Sequence, residues 1–121
     1  MNKTYQEFIL EMGASERRQI ASCLYVLIQH ITKMNYVPEP VKSDNQAGWA
    51  KTIREQKTGL EKILTRHRSL MAEITRERIN EIYAASIGEV RTEYPKVHFP
   101  QECPFTLEQI LGERLSAMAE S

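Results

Sequence analysis

Five side chains in the first half of the chain have the types and spacing to do chemistry together: His30, Lys33, Trp49, Arg54 and Gln56. An imidazole exchanges a proton near neutrality, an ammonium or guanidinium holds an anion, and an indole with an amide can line a small-ligand pocket. Trp49 and Gln56 are seven residues apart, which places them along one side of a helix, and His30 flanks an apolar stripe on the preceding helix. Packed as antiparallel neighbours, those helices bring an imidazole, an indole N–H and an amide to the core or its edge. The set holds neither a nucleophile nor a pair of carboxylates. Its expected role is therefore a satisfied polar network that fixes helix register; a ligand or partner pocket lined by Trp49 is the functional alternative.

Other chemical signals are weaker. Cys103 follows His98 by five residues. A cysteine nucleophile needs an oriented histidine, and zinc needs four ligands, of which this stretch offers two. The expectation is instead a closing loop pinned in the core by Phe99, Cys103 and Phe105, with Cys23 as a core thiol. Glu73, Glu77 and Glu81 have the spacing of carboxylate ligands, yet the Glu-x-x-His partners of di-iron bundles are absent. Arg66, His67 and Arg68 read as a phosphate patch, but they fall in the last turn of a helix, where cations complement the dipole. Lys51, Arg54, Lys57, Lys62, Arg76 and Arg78 interleave with Glu55, Glu61, Glu73 and Glu77, the pattern of solvated helical faces. No catalytic residue, cofactor or metal site is expected.

The elements that position these residues follow from apolar periodicity. Ile20, Leu24, Leu27, Ile31 and Met34, widened by Cys23 and Ile28, predict a helix over residues 16–35. Thr4 with Glu7 is a capping box for a short helix over 5–12, stopped at Gly13. Pro38 and Pro40 predict an extended connection over 36–43, closed by Ser43 or Asp44 as a cap. Trp49, Ile53, Leu60, Ile63 and Leu64 form the stripe of a third helix over 45–67, with Gln56 and His67 in its register. A fourth, capped by Ser69, reaches Arg91 along Ile79, Ile82, Tyr83, Ile87 and Val90, while Met71 and Ile74 drift off that stripe. Three prolines make 94–105 a loop, and Thr106 with Gln109 opens a last helix through Met118. No alternating stretch reads as a strand. The fold class is all-α, a compact antiparallel bundle of four to five helices in one domain.

Composition narrows the role. Sixteen basic residues balance sixteen acidic ones, so no long-range field recruits nucleic acid or an anionic membrane. Residues 42–91 carry ten basic and seven acidic groups, a mild excess. The longest apolar run, residues 23–28, is far short of the ~20 residues that span a bilayer. With no apolar signal core at the start and no cysteine framework, a cytoplasmic protein with reduced thiols is expected.

Three strings carry a resemblance: Leu27-Ile28-Gln29-His30-Ile31-Thr32-Lys33, then Gly48-Trp49-Ala50-Lys51-Thr52-Ile53-Arg54-Glu55-Gln56-Lys57, and Phe99-Pro100-Gln101-Glu102-Cys103-Pro104-Phe105-Thr106. With Tyr83 in the fourth helix, the chain resembles the bacterial family filed as domain of unknown function twenty-nine, and the closing motif is the most specific part. Gly48 stands where that family usually has Ser, Lys57 where it has Arg, and Arg68 where it has Pro. An N-terminal helix with Asp and Trp is missing. The resemblance implies an all-helical fold and adds Tyr83 to the candidate residues; it implies no activity. A face that the missing helix covers elsewhere is expected to pair with a second copy or another protein. The function expected is thus a non-enzymatic protein-interaction module. A nucleic-acid-associated protein acting through the basic middle is the alternative, and an enzyme ranks third.

Overall fold

A computed structural model of the chain describes residues 15–119. Within them lie five α-helices, one 3-10 turn and no strand: α1 Ser15–Tyr36, α2 Val41–Arg66, the 3-10 turn Arg68–Glu73, α3 Arg76–Glu93, α4 Leu107–Leu111 and α5 Glu113–Ala119. The expected all-α bundle is the fold. The helix expected over 5–12, with its Thr4 and Gly13 signals, lies outside the described residues.

α1 is the central element, and its sequence explains why. Its buried residues fall in two adjoining rows, Ile20, Leu24, Leu27 and Ile31 in one and Ala21, Tyr25, Ile28 and Thr32 in the other. One row serves one neighbour; two rows serve two, and both α2 and α3 pack on α1. Side-chain pairings give the directions. Cys23 faces Gly59 and Lys33 lies over Trp49, so rising numbers on α1 meet falling numbers on α2. Gln29 bonds Glu89 and Lys33 pairs with Glu93, so α1 and α3 run parallel. An up-down-up order produces both relations: consecutive helices are antiparallel, and the first and third are parallel. Leu27, Ile28, Leu60, Leu64 and Ile110 are fully inaccessible, each contributing roughly 1.5–3 kcal/mol of apolar burial. The buried hydroxyls of Thr32 and Ser86 donate to carbonyls of their own helices, Ile28 at 2.7 Å and Tyr83 at 3.0 Å.

Three element boundaries differ from expectation. The connection after α1 is only residues 37–40, because α2 already starts at Val41. Pro40 at the cap position lacks only a donor that a first turn leaves unpaired anyway. The Glu39 carboxylate accepts the Ser43 backbone N–H at 2.7 Å and the Ser43 hydroxyl as well. Ser43, expected as a cap, is itself the capped residue. Ser69 caps nothing either: it lies in the 3-10 turn, and Thr75 caps α3 by accepting the Arg78 N–H at 3.1 Å. Three residues per turn followed by an extended cap reset the helical phase, which is why Met71 and Ile74 leave the α3 stripe and are nonetheless buried. The Thr106–Gln109 capping box forms as expected, but Gly112 at φ +90° divides the last helix into α4 and α5.

Candidate functional site

Of the six residues singled out, Lys33 stands over Trp49 with His30 one turn earlier on α1, whereas Tyr83 serves a separate contact. Near the short α1–α2 connection the Lys33 ammonium sits 6.0 Å from the centre of the Trp49 ring, at the outer reach of a cation–π contact. Its closer partner is Glu93 at the end of α3, 2.9 Å away. The Lys33 side chain keeps 12% of its surface exposed and Glu93 51%, so the pair bridges the rim of the bundle. Trp49 is buried, yet it stands outside the main core cluster; the corner is a satellite of the core. His30 Nδ1 lies 2.7 Å from the Val26 carbonyl one turn back. A carbonyl only accepts, so this nitrogen carries the proton. Burial pushes His30 below the ordinary imidazole range, with the Lys33 charge acting the same way against the Val26 bond and Glu93. The result is a neutral ring with its Nδ1 proton already committed, which is a structural arrangement. Arg54 is exposed, Gln56 is half-buried, and His67, expected near the buried side, is exposed.

Tyr83 belongs to a different construction. Its ring is fully buried in α3 and its hydroxyl donates to the Pro100 carbonyl at 2.6 Å. Burial drives its pKa up to about 12. One and two turns earlier on the same face, Asn80 accepts the Cys103 N–H at 3.3 Å, and Arg76 donates to the carbonyls of Phe105 at 2.7 Å and Cys103 at 3.3 Å. Arg76, Asn80 and Tyr83 thus hold the whole loop. Arg76 is exposed, as the solvated-face reading expected, and its guanidinium also ties down the loop. The signal was present in the 4–3 spacing of these residues and in a loop whose prolines bring carbonyls but no donors. Cys103 and Phe105 are buried and Phe99 half-buried, as the loop reading required, and the rings of Phe99 and Phe105 lean on Tyr36 at 6.1 and 6.4 Å. Burial pushes the Cys103 thiol upward, away from a reactive thiolate. His98 is exposed.

The described surface exposes few large hydrophobic side chains. Val41 is its one exposed large hydrophobic residue. A crevice beside Ile20, Leu24 and Ile74 has about 10 Å³ of free space, enough for a single water. Charge, in contrast, is concentrated. Between the N-terminal part of α1 and the C-terminal part of α2 lies a groove of about 560 Å³ lined by Ser15, Arg18, Gln19, Ser22, Cys23, Gly59, Lys62, Ile63 and Arg66. Cys23, expected in the core, is a half-buried part of this lining. Lys62 and Arg66 also border a second recess of about 400 Å³, whose Glu61 is held by Arg114 at 2.8 Å. Among the described residues the side chains of Arg18, Lys62 and Arg66 form no hydrogen bond or ion pair. Arg66 in particular does not fold back on the carbonyls of its own helix end, the role its position implied. The described residues contain no group of three or more metal-ligating side chains and no helix long and apolar enough to cross a membrane.

Comparison with curated proteins and with solved structures returns no match. A family model does match, over residues 4–115, and it spans the α1–α2 hairpin, the Arg76–Asn80–Tyr83 face and the closing loop those residues hold; the chain belongs to the family described as domain of unknown function DUF29.

Proposed function

We propose that this domain is a non-enzymatic protein-interaction module of the cytoplasm, and that the α1–α2 groove is its contact surface. The observation that carries this reading is the contrast between groups that are committed and groups that are not. Tyr83, Asn80 and Arg76 hold the closing loop, His30 bonds its own helix, and Lys33 pairs with Glu93. Arg18, Lys62 and Arg66 surround a groove and engage nothing in the described fold. The expected apolar docking edge has no counterpart on the described surface, so contact through charge and shape takes its place.

The alternative, nucleic-acid association through the basic middle of the chain, draws on the same cations. It is weaker, because no aromatic side chain lines the groove for base stacking and the net charge is zero. A photo-crosslinking residue at Gln19, inside the groove, gives protein adducts in cells, and the same residue at Glu102, on the exposed closing loop, does not. Adducts to nucleic acid alone, or retention on a polyanion column at ~0.15 M salt, where few phosphate contacts survive, would select the alternative.

A further inference from the structure

We infer that the groove seats an extended, carboxylate-bearing segment of the partner protein, with Arg18, Lys62 and Arg66 as the residues that bind it. This rests on the interaction reading above and gives the partner's chemistry. Three cations and no carboxylate line the groove. The Ser15, Gln19 and Ser22 side chains on the α1 wall add polar lining, and Cys23 with Ile63 adds apolar surface. At about 560 Å³ the space lies in the range that holds a ligand of several side chains, well beyond a single inorganic anion.

Spacing sharpens the inference. Lys62 and Arg66 are four residues apart on α2, a rise of about 6 Å at ~1.5 Å per residue. Alternate side chains of an extended peptide recur every ~6.6 Å. An acid at every second position therefore meets Lys62 and Arg66 in turn. Arg18 faces them from the opposite wall, because the antiparallel register that sets Cys23 against Gly59 carries residue 18 to the level of residue 64, between Lys62 and Arg66. Beyond the Lys62–Arg66 ridge the second recess extends the path, and its own carboxylate is neutralised by Arg114. Neither recess contains an aromatic side chain, which disfavours nucleobases relative to a peptide.

The test uses the full chain and an alternating Glu-Ser hexapeptide, with an alternating Gln-Ser hexapeptide and an oligothymidylate as comparisons. Binding is followed by amide chemical shifts at ~0.05 M salt, where charge attraction is least screened. The Glu-Ser peptide shifts amides within residues 15–23 and 59–66 and releases as salt rises. R18Q, K62Q and R66Q each weaken it by about two- to fivefold, the range of an exposed ion pair, and R54Q leaves it unchanged. Equal binding of the Gln-Ser peptide, full affinity in the triple R18Q/K62Q/R66Q variant, or tighter binding of the oligothymidylate overturns the inference. Protein adducts at Gln19 without Glu-Ser binding remove this inference and leave the interaction reading standing. Absence of both removes both.

Discussion

Tyr83→Phe deletes one oxygen from the fully buried centre of the fold. The lost bond is a 2.6 Å donation to the Pro100 carbonyl, and that carbonyl belongs to a loop with few donors of its own. A net hydrogen bond contributes about 1 kcal/mol, and leaving the half-buried Pro100 acceptor unpaired raises the cost toward about 2 kcal/mol. For a chain of this size each kcal/mol moves Tm by roughly 4 °C, so a fall of about 8 °C is expected. A second signature distinguishes this bond from a simple packing defect. The folded phenol titrates near 12, whereas an unfolded one titrates near ~10. Between those values the unfolded chain has released its proton and the native one has kept it, so the native state binds more protons and stability falls as pH rises. The variant lacks that contribution. Urea unfolding at pH 8 should separate wild type and Tyr83→Phe by about 2 kcal/mol, and the two curves should converge above pH 10. A gap below ~0.5 kcal/mol at pH 8, the scatter of ordinary neutral substitutions, would refute the assignment of Tyr83 as the loop's anchor, and so would a gap that stays constant to pH 11.5.

Arg76→Gln removes the two donations to Cys103 and Phe105; bonds from a charged donor carry about 1.5–3 kcal/mol each, so urea unfolding should show a loss of at least ~2 kcal/mol with faster thiol modification of Cys103 and an unchanged rate at Cys23. Gly112→Ala places a side chain at φ +90°, ψ 164°, a conformation open almost only to glycine, and thermal unfolding should show a loss of about 1–3 kcal/mol. His30 titrates below the ordinary imidazole range because it is buried beside Lys33. An unfolded chain takes up the proton first as pH drops, so His30 contributes stability that is present above pH ~6.5 and lost as pH falls through the lower folded value. An NMR titration should place its midpoint below ~6.5, the ordinary imidazole value, and His30→Gln should flatten that part of the stability profile.

The fold was legible wherever one periodicity ran uninterrupted. Ile20, Leu24, Leu27 and Ile31 announced α1, and Ile79, Ile82, Tyr83, Ile87 and Val90 announced α3; all are buried. Illegible points have two causes: local contacts that compete with a residue's usual preference, and partners distant in the chain. The start of α2 depended on a glutamate side chain reaching forward to Ser43, which competes with the local preference of Ser43 to cap. The phase break at Met71 and Ile74 showed as a departure from the α3 stripe, but a 3.6-residue pattern does not name the 3-10 turn that causes it. The Lys33–Trp49 contact was accessible because it needs only the antiparallel hairpin, whereas Glu93 completes that corner across 60 residues through a parallel contact that hairpin logic does not supply.

Arg17 and Arg18 show why local pattern cannot decide which charges are available. They are adjacent, identical in chemistry and both on the first turns of α1. Arg17 forms a two-bond pair with Glu73 of the 3-10 turn, at 2.8 and 2.9 Å, and holds that carboxylate below its usual range. Arg18, turned about 100° further round the helix, enters the groove and meets no acid among the described residues. The same division separates Arg114, held by Glu61, from Lys62 one residue along α2 from that acid. Fixing a crossing between elements consumes a cation, so those left over mark where the fold has no internal use for charge. In a chain with no excess of either sign, three such leftovers around one groove are a local asymmetry that composition averages away, and an acidic partner is the chemistry that matches it.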